Sequence, residues 1–264
     1  MQKDYRYIFL GASCFALACA SQRPDECLIL EKGEGLGAEF CDALFSGPVI
    51  SPAGEGAAFY RECIRRKIMT EESAARGEIH LPAVHMVLNR MALDTGIRIL
   101  FRTQVIQTEK VEDTIRIQAV CNARILQFAC DRIIDTRSGD FAWIRERDPQ
   151  AHFFLGANLY APDIPADRIG PCPVRKGFLP GEAFLHMPVR ENAVSDRGRL
   201  MRIFENRAPC WRRAKLLLVS GTYAVQCLPI RAAEDGCIRI PGAGFGNPFQ
   251  AWEAGLRETE VFRA

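Results

Sequence analysis

One strand, one glycine, a helix of small residues and a second strand with an acidic end set what this chain can fold into. Residues 5–10 are an apolar run of strand type, and Gly11 breaks it. Residues 13–21 are small and apolar, the composition of a helix that packs closely on a sheet. Residues 23–25, Arg-Pro-Asp, read as a turn, and residues 27–30 as a second short strand of the parallel type that is buried on both faces. The unit has the length of a βαβ crossover, about 30 residues. Such a crossover is expected to be right-handed and to start a parallel sheet with helices packed on it.

The downstream pattern extends that sheet. Residues 33–51 are Gly-rich and read as loops with a short helix. Residues 57–72 carry an apolar stripe, Phe59, Cys63, Ile64 and Ile68, and read as one helix. Residues 81–95 read as another, with Val84, Val87, Leu88, Met91 and Ala92 at helical spacing and Gly96 at the C-cap position. A strand is predicted at 97–101. Residues 104–109, 114–121 and 123–130 then read as a three-stranded antiparallel meander, turning at Glu112-Asp113 and Asn122, and 132–135 as a further strand. Beyond residue 138, strands are expected at 153–160, 183–188, 200–206, 216–220, 223–227 and 237–240, and a helix at 248–258 with Pro248 in its first turn. The expected fold class is α/β: a Rossmann-like parallel sheet with a three-stranded β-meander and a smaller, mainly β second region. Residues 1–140 would form the nucleotide-binding domain and 141–235 the smaller, substrate-facing region. Residues 236–264 would return to the first domain.

Composition narrows the function classes. The 264 residues are 48% hydrophobic and 25% charged, with a net charge of +2 and no basic block, which disfavours a nucleic-acid partner. No run approaches the roughly 18 uninterrupted apolar residues of a membrane helix. Residues 1–20 admit a signal-peptide reading, but Asp4, Arg6 and Gly11 interrupt the apolar stretch and favour a strand and helix. None of the 11 cysteines forms a Cys-x-x-Cys pair, so neither a disulfide framework nor a metal site is expected. They read as reduced, small core residues of a cytoplasmic protein. The absence of Gly-x-Ser-x-Gly, Walker and His-Glu-x-x-His motifs disfavours hydrolase, kinase and zinc-protease chemistry.

The first candidate site is Gly11-Ala12-Ser13-Cys14-Phe15-Ala16, read against Gly-x-Gly-x-x-Gly/Ala. In that pattern the first glycine makes the tight turn, the second lets backbone approach a pyrophosphate, and the third allows close helix–sheet packing. Free N–H groups at the helix start receive the phosphates. Gly11 and Ala16 fit, and Ser13 replaces the second glycine. Glu31 ends the second strand about 20 residues on, where a carboxylate accepts hydrogen bonds from ribose hydroxyls. The plain alternative is a glycine that only turns the chain and a solvated Glu31.

Three segments together, Ile8-Phe9-Leu10-Gly11-Ala12-Ser13, Leu28-Ile29-Leu30-Glu31-Lys32-Gly33 and Leu36-Gly37-Ala38-Glu39, resemble the N-terminal pattern of FAD-dependent oxidoreductases of the glutathione-reductase-like type. Ile133-Ile134-Asp135-Thr136-Arg137-Ser138-Gly139-Asp140 is similar to the family's return strand, and Gly242 to Asn247 to its late glycine segment before a helix. The resemblance covers about residues 5–140 and resumes near the C-terminus. It implies non-covalent FAD. Gly11, Ala12, Ser13 and Phe15 would lie on the pyrophosphate turn, Glu31 would bind ribose, and Lys32 the adenine edge. Gly37 and Ala38 would pass near the ribityl chain, Val105 would meet adenine through its backbone, and Thr136 and Gly139 would flank the pyrophosphate. Gly246 and Asn247 would face the flavin. The sequence departs from the family at Ser13, at Arg137-Ser138, after Gly37, where a second glycine is missing, and in its short length.

The resemblance implies hydride or electron transfer on a small organic substrate, with an electron-transfer partner or a second copy of the chain as possible associates. No catalytic residue is assigned. Of the four histidines, His186 is the candidate to face a substrate cavity, His152 follows it, and His85 reads as structural. Phe153, Phe154, Tyr160, Phe178, Phe184 and Trp211 read as sheet core before pocket lining. Two rival readings remain: a non-catalytic scaffold or interaction subunit that has lost productive flavin binding, and NAD(H) binding without flavin, which the meander at 104–130 fits less well.

Overall fold

A computed structural model describes residues 5–47, 56–190, 195–258 and 260–262. The chain runs through β1 (Tyr7–Leu10), α1 (Cys14–Ser21), β2 (Cys27–Leu30), α2 (Ala57–Arg65), α3 (Glu71–Ala75), α4 (Leu81–Thr95) and β3 (Arg98–Leu100). Next come β4 (Thr103–Val111), β5 (Thr114–Cys121), β6 (Arg124–Cys130), β7 (Arg132–Asp135) and α5 (Phe141–Arg147). β8 (His152–Tyr160), β9 (Arg168–Ile169), β10 (Cys172–Lys176), β11 (Glu182–Val189), α6 (Ser195–Glu205) and β12 (Lys215–Gln226) follow, and β13 (Ala232–Glu234), β14 (Cys237–Arg239) and α7 (Pro248–Arg257) close the order.

The strands form three sheets. The first has the order β13-β14-β7-β1-β2-β3. All its pairings are parallel except β13 on β14. From β1 the chain winds first to β2 and β3 on one side, then to β7 and β14 on the other. That reversal is a topological switch point, and ligands of open α/β sheets bind at the carboxyl ends of strands there. Strand alternation explains why β1 and β2 are apolar throughout. Tyr7, Phe9, Cys27 and Ile29 join α1, α4 and α7 in one core, whereas Ile8, Leu10, Leu28 and Leu30 pack with Ile115, Ile117 and Cys130 of the meander on the other face. Each fully buried Ile, Leu or Phe contributes roughly 1.5–3 kcal/mol.

The meander β4-β5-β6 and the antiparallel sheet β12-β8-β11-β10-β9 complete the architecture. The fold is thus α/β, with a Rossmann-like parallel sheet and separate antiparallel sheets. One face of the five-stranded sheet (Phe153, Leu155, Ala157 and Leu159) builds a core with Phe141, Leu200, Phe204 and Trp211. The other face meets the turn at 36–47: Phe154 stacks on Phe45, and His186 Nε2 donates to Leu44 O at 2.8 Å.

Four local expectations change. Residues 200–206 are not a strand: α6 spans them to Glu205, because buried Asp196, Leu200 and Phe204 repeat every four residues. The helix expected at 57–72 ends at Arg65, where Lys67 takes φ 57°, and α3 starts anew on the Thr70 cap. The two strands expected at 216–220 and 223–227 are one long strand, Lys215–Gln226, with register shifts at 216–218 and 219–223. The described part of the 33–51 segment, to residue 47, is turns without a helix, and 48–51 lie outside the described residues.

Candidate functional site

The turn between β1 and α1 lies at the switch point. Gly11 has φ 92°, a region that L side chains rarely adopt, and a Cβ there would meet Arg137 Cγ at 3.1 Å and Thr136 Oγ1 at 3.2 Å. The Thr136 hydroxyl reaches both Leu10 O (3.1 Å) and Gly11 O (3.0 Å), tying β7 to the turn. Gly37 N–H donates to Ala12 O at 2.8 Å, which fixes the following loop against the same turn.

Three side chains then take up N–H groups of the turn and of α1. Ser13 is the N-cap of α1, and its Oγ accepts from Ala16 N–H at 3.0 Å. Glu31 Oε2 accepts from Ala12 N–H at 2.6 Å, and its Oε1 from Gly33 N–H at 2.5 Å. Glu39 Oε1 accepts from Cys14 N–H at 2.8 Å. Glu39 is only 9% exposed. Burial pushes its carboxyl up to about 7 against the Cys14 hydrogen bond, and nearby Glu31 adds to the rise.

A cleft of about 190 Å³ opens over this turn. It brings together Gly11, Ala12, Ser13, Glu31, Lys32, Ala38, Thr136 and Gly139, eight of the thirteen residues singled out in the sequence. The other five lie elsewhere. Phe15, the second residue of α1, is buried in the core that the helix packs on and stacks on Phe245 at 4.9 Å. Gly37 (φ 67°) packs on Leu88 and Cys14. Val105 is paired with Ala119 in the meander. Asn247 is buried and caps α7, its Oδ1 accepting from Phe249 and Gln250 N–H, and Gly246 O abuts Gly47.

The cleft is also lined by residues that the sequence did not assign to a site: Glu39, Arg137, Ser138, Thr222 and Tyr223. Arg137 lies along Asp135 in a fork, Nε to Oδ1 and Nη2 to Oδ2 both at 2.8 Å, and Arg239 reaches the same buried carboxylate. Glu39 carried a sequence signal, an acid in an otherwise apolar run with Ala38, Phe40 and Cys41. Thr222 and Tyr223 carried none, since the register shift of β12 at 219–223 brings them to the rim.

Among the described residues, no histidine lines the cleft. His186 is 2% exposed, and burial holds its imidazole down at about 4, so it is neutral and donates to Leu44 O. It does not take the substrate-facing alternative: it anchors the 36–47 loop to β11. His85 bridges Leu36 O (2.7 Å) and Asp42 (2.8 Å); burial opposes its charge, but the Asp42 bond prevails and raises it. The cysteines are all free thiols, most of them buried. Among the described residues, no group of three or more His, Cys, Asp and Glu side chains is placed to hold a metal, and no helix is long and apolar enough to cross a membrane.

No family model matches the chain, and no curated protein sequence matches it. Solved structures do. The chain is similar in fold to p-nitrophenol 4-monooxygenase PnpA from Pseudomonas putida DLL-E4, with TM-score 0.60 and 11% identity over 94% of this chain and 78% of that one. It is similar to aklavinone-11 hydroxylase in a ternary complex with FAD and aklavinone, with TM-score 0.62 and 13% identity over 97% and 61%. Glycine oxidase from Geobacillus kaustophilus gives TM-score 0.60 and 15% identity over 97% and 93%. At these identities the shared property is the fold.

Proposed function

We propose that this chain binds FAD non-covalently at the switch-point cleft and acts as an oxidoreductase on a small organic substrate. The observation that carries the reading is Glu31. It stands at the carboxyl end of β2, beside the turn of Gly11, with one oxygen on Ala12 N–H. In dinucleotide folds an acid in that place accepts the ribose hydroxyls. The aklavinone-11 hydroxylase complex, whose fold is similar, contains FAD.

The residues fit the group with two exceptions. Gly139 leaves open space where a Cβ would stand, Lys32 and Arg137 line the cleft with cations, and the α1 N-terminus favours an anion. The exceptions are Glu39, whose carboxylate already holds Cys14 N–H, and Glu31, which already holds Ala12 and Gly33 N–H, though each Glu31 oxygen keeps a lone pair for a ribose hydroxyl. In this reading Gly11, Ala12 and Ser13 approach the diphosphate through backbone, with Thr136 and Gly139 beside it and Ala38 along the path. Glu31 and Lys32 hold the adenosine half. Bound FAD would supply the hydride or electron transfer. The chain's own work is to fix the dinucleotide's register in a cleft also lined by Thr222 and Tyr223; the Tyr223 phenol donates to Asp196 Oδ2 at 3.4 Å.

A second reading, a scaffold without productive flavin, draws on the cleft's size. Its 190 Å³ is below the roughly 300–1,000 Å³ of typical ligand sites. The deciding experiment incubates purified protein with FAD, desalts it and records the absorbance spectrum. A retained flavin band is expected. A colourless protein that is folded by circular dichroism would favour the scaffold.

A further inference from the structure

We propose that Glu39 is a built-in competitor for the diphosphate of the bound dinucleotide, holding the first N–H of α1 until it is protonated or displaced. This inference rests on the preceding reading of the cleft and names a residue that regulates it.

The geometry is specific. Cys14 opens α1, and its N–H is one of the helix-start donors that have no partner within the helix. In a dinucleotide site such donors point at phosphate oxygens. Here Glu39 Oε1 takes that place at 2.8 Å. The carboxylate is held there from three sides. Gly37 N–H ties its loop to Ala12 O. The Gly242 turn closes over it, so that a Cβ on Gly242 would stand 3.2 Å from Oε1. Ala38 and Phe40 on either side keep the loop along the cleft and in the core. A diphosphate seated on Cys14 N–H would meet a buried anion, unless the carboxyl carries a proton or swings away.

Proton uptake is within reach of ordinary pH. Burial brings the Glu39 carboxyl to about 7. The groups that face it are Glu31 from the end of β2, Cys14 from α1, Cys41 from its own loop and His85 from α4. Lys32, Arg137 and Tyr223 line the same cleft, and the 242–245 turn (Gly-Ala-Gly-Phe) brings no titratable side chain. Glu31 disfavours the charged form of Glu39, and both thiols are held neutral by burial. The sign follows. Below about pH 7 Glu39 is neutral and does not repel a diphosphate; above it, the competitor is charged. The apparent Kd should rise above pH 7, approaching tenfold per pH unit, by about a hundredfold between pH 6 and pH 9.

The test is a titration of the full chain with FAD, followed by flavin fluorescence, and with ADP in parallel, from pH 6 to pH 9. Wild type is compared with Glu39→Gln, which keeps an acceptor for Cys14 N–H but no charge. Thermal melts of both apo proteins report folding independently of any ligand. The expected result is an affinity that falls with pH in wild type and stays flat in Glu39→Gln, with the variant about a hundredfold tighter at pH 9. Equal affinities with equal pH profiles would overturn the role of Glu39 and leave the FAD reading standing. Failure of both folded proteins to bind FAD or ADP at any pH would overturn both. Should Glu39→Gln not fold, a flat wild-type profile alone overturns the proposal.

Discussion

Ser13 and Gly242 stand so close that a Cβ on Gly242 would lie 2.6 Å from the Cβ of Ser13. Ser13 occupies the place where a fingerprint glycine lets backbone approach a phosphate. Its Cβ leans on the late glycine turn and its hydroxyl caps α1, so a side chain at 13 requires a glycine at 242. The late glycine segment therefore acts at the α1 start through packing, and Asn247 acts on α7 as its cap.

Gly242→Ala should destabilise the protein by about 1–3 kcal/mol through overpacking. Ser13→Gly in the same chain should recover part of that loss, because it removes the atom in conflict. Urea denaturation of the two single variants and the double variant measures the coupling. Strict additivity of the two changes would contradict the contact.

His186 gives a pH dependence with a definite sign. Its native pKa, about 4, lies below the ordinary value of about 6.5, so the unfolded chain takes up the proton first as pH falls. Stability should decline from about pH 6.5 downward and level off below about 4, by on the order of 3 kcal/mol. His186→Gln, which can still donate to Leu44 O, should flatten that decline. The difference between the two proteins isolates His186 from Glu39, whose raised carboxyl weakens the fold in the opposite direction, as pH rises toward 7.

Thiol chemistry should separate the cysteines by burial. Cys210 is exposed and Cys121, Cys227 and Cys237 are partly so, whereas Cys14, Cys19, Cys41 and Cys63 are buried and held protonated by desolvation. A thiol-disulfide reagent applied to the native protein should modify Cys210 first, and the buried four only on unfolding. Mass spectrometry of the peptides reads the order.

The first sheet was legible because its code is local. The Tyr7–Leu10 and Cys27–Leu30 strands, the turn at Gly11 and the acid at Glu31 lie within one crossover unit. Gly96 ends α4 in the left-handed conformation, φ 72°, as its position after an apolar helix foretold. What escaped the sequence is what depends on long-range packing. Leu200-Met201-Arg202-Ile203-Phe204 has the composition of a strand, and only its four-residue spacing onto the β8 face makes it α6. Phe15 turned inward because α1 lies between the sheet and α7, which leaves that helix no polar face. Glu39 was visible as an acid in an apolar run, but its bond to Cys14 spans 25 residues and exists only once the loop folds back.

Recognition of the adenosine half of FAD through Glu31 and Lys32, and of its diphosphate through the Gly11 turn, is the proposal on which the others depend. Titration calorimetry at pH 6 with FAD, ADP and FMN tests it most directly, since FMN carries the flavin without adenosine. FAD and ADP should bind and FMN should bind at least tenfold more weakly, and Glu31→Ala should weaken FAD and ADP together. Binding of FMN as tight as that of FAD, or no binding of FAD and ADP by the folded protein, would contradict it.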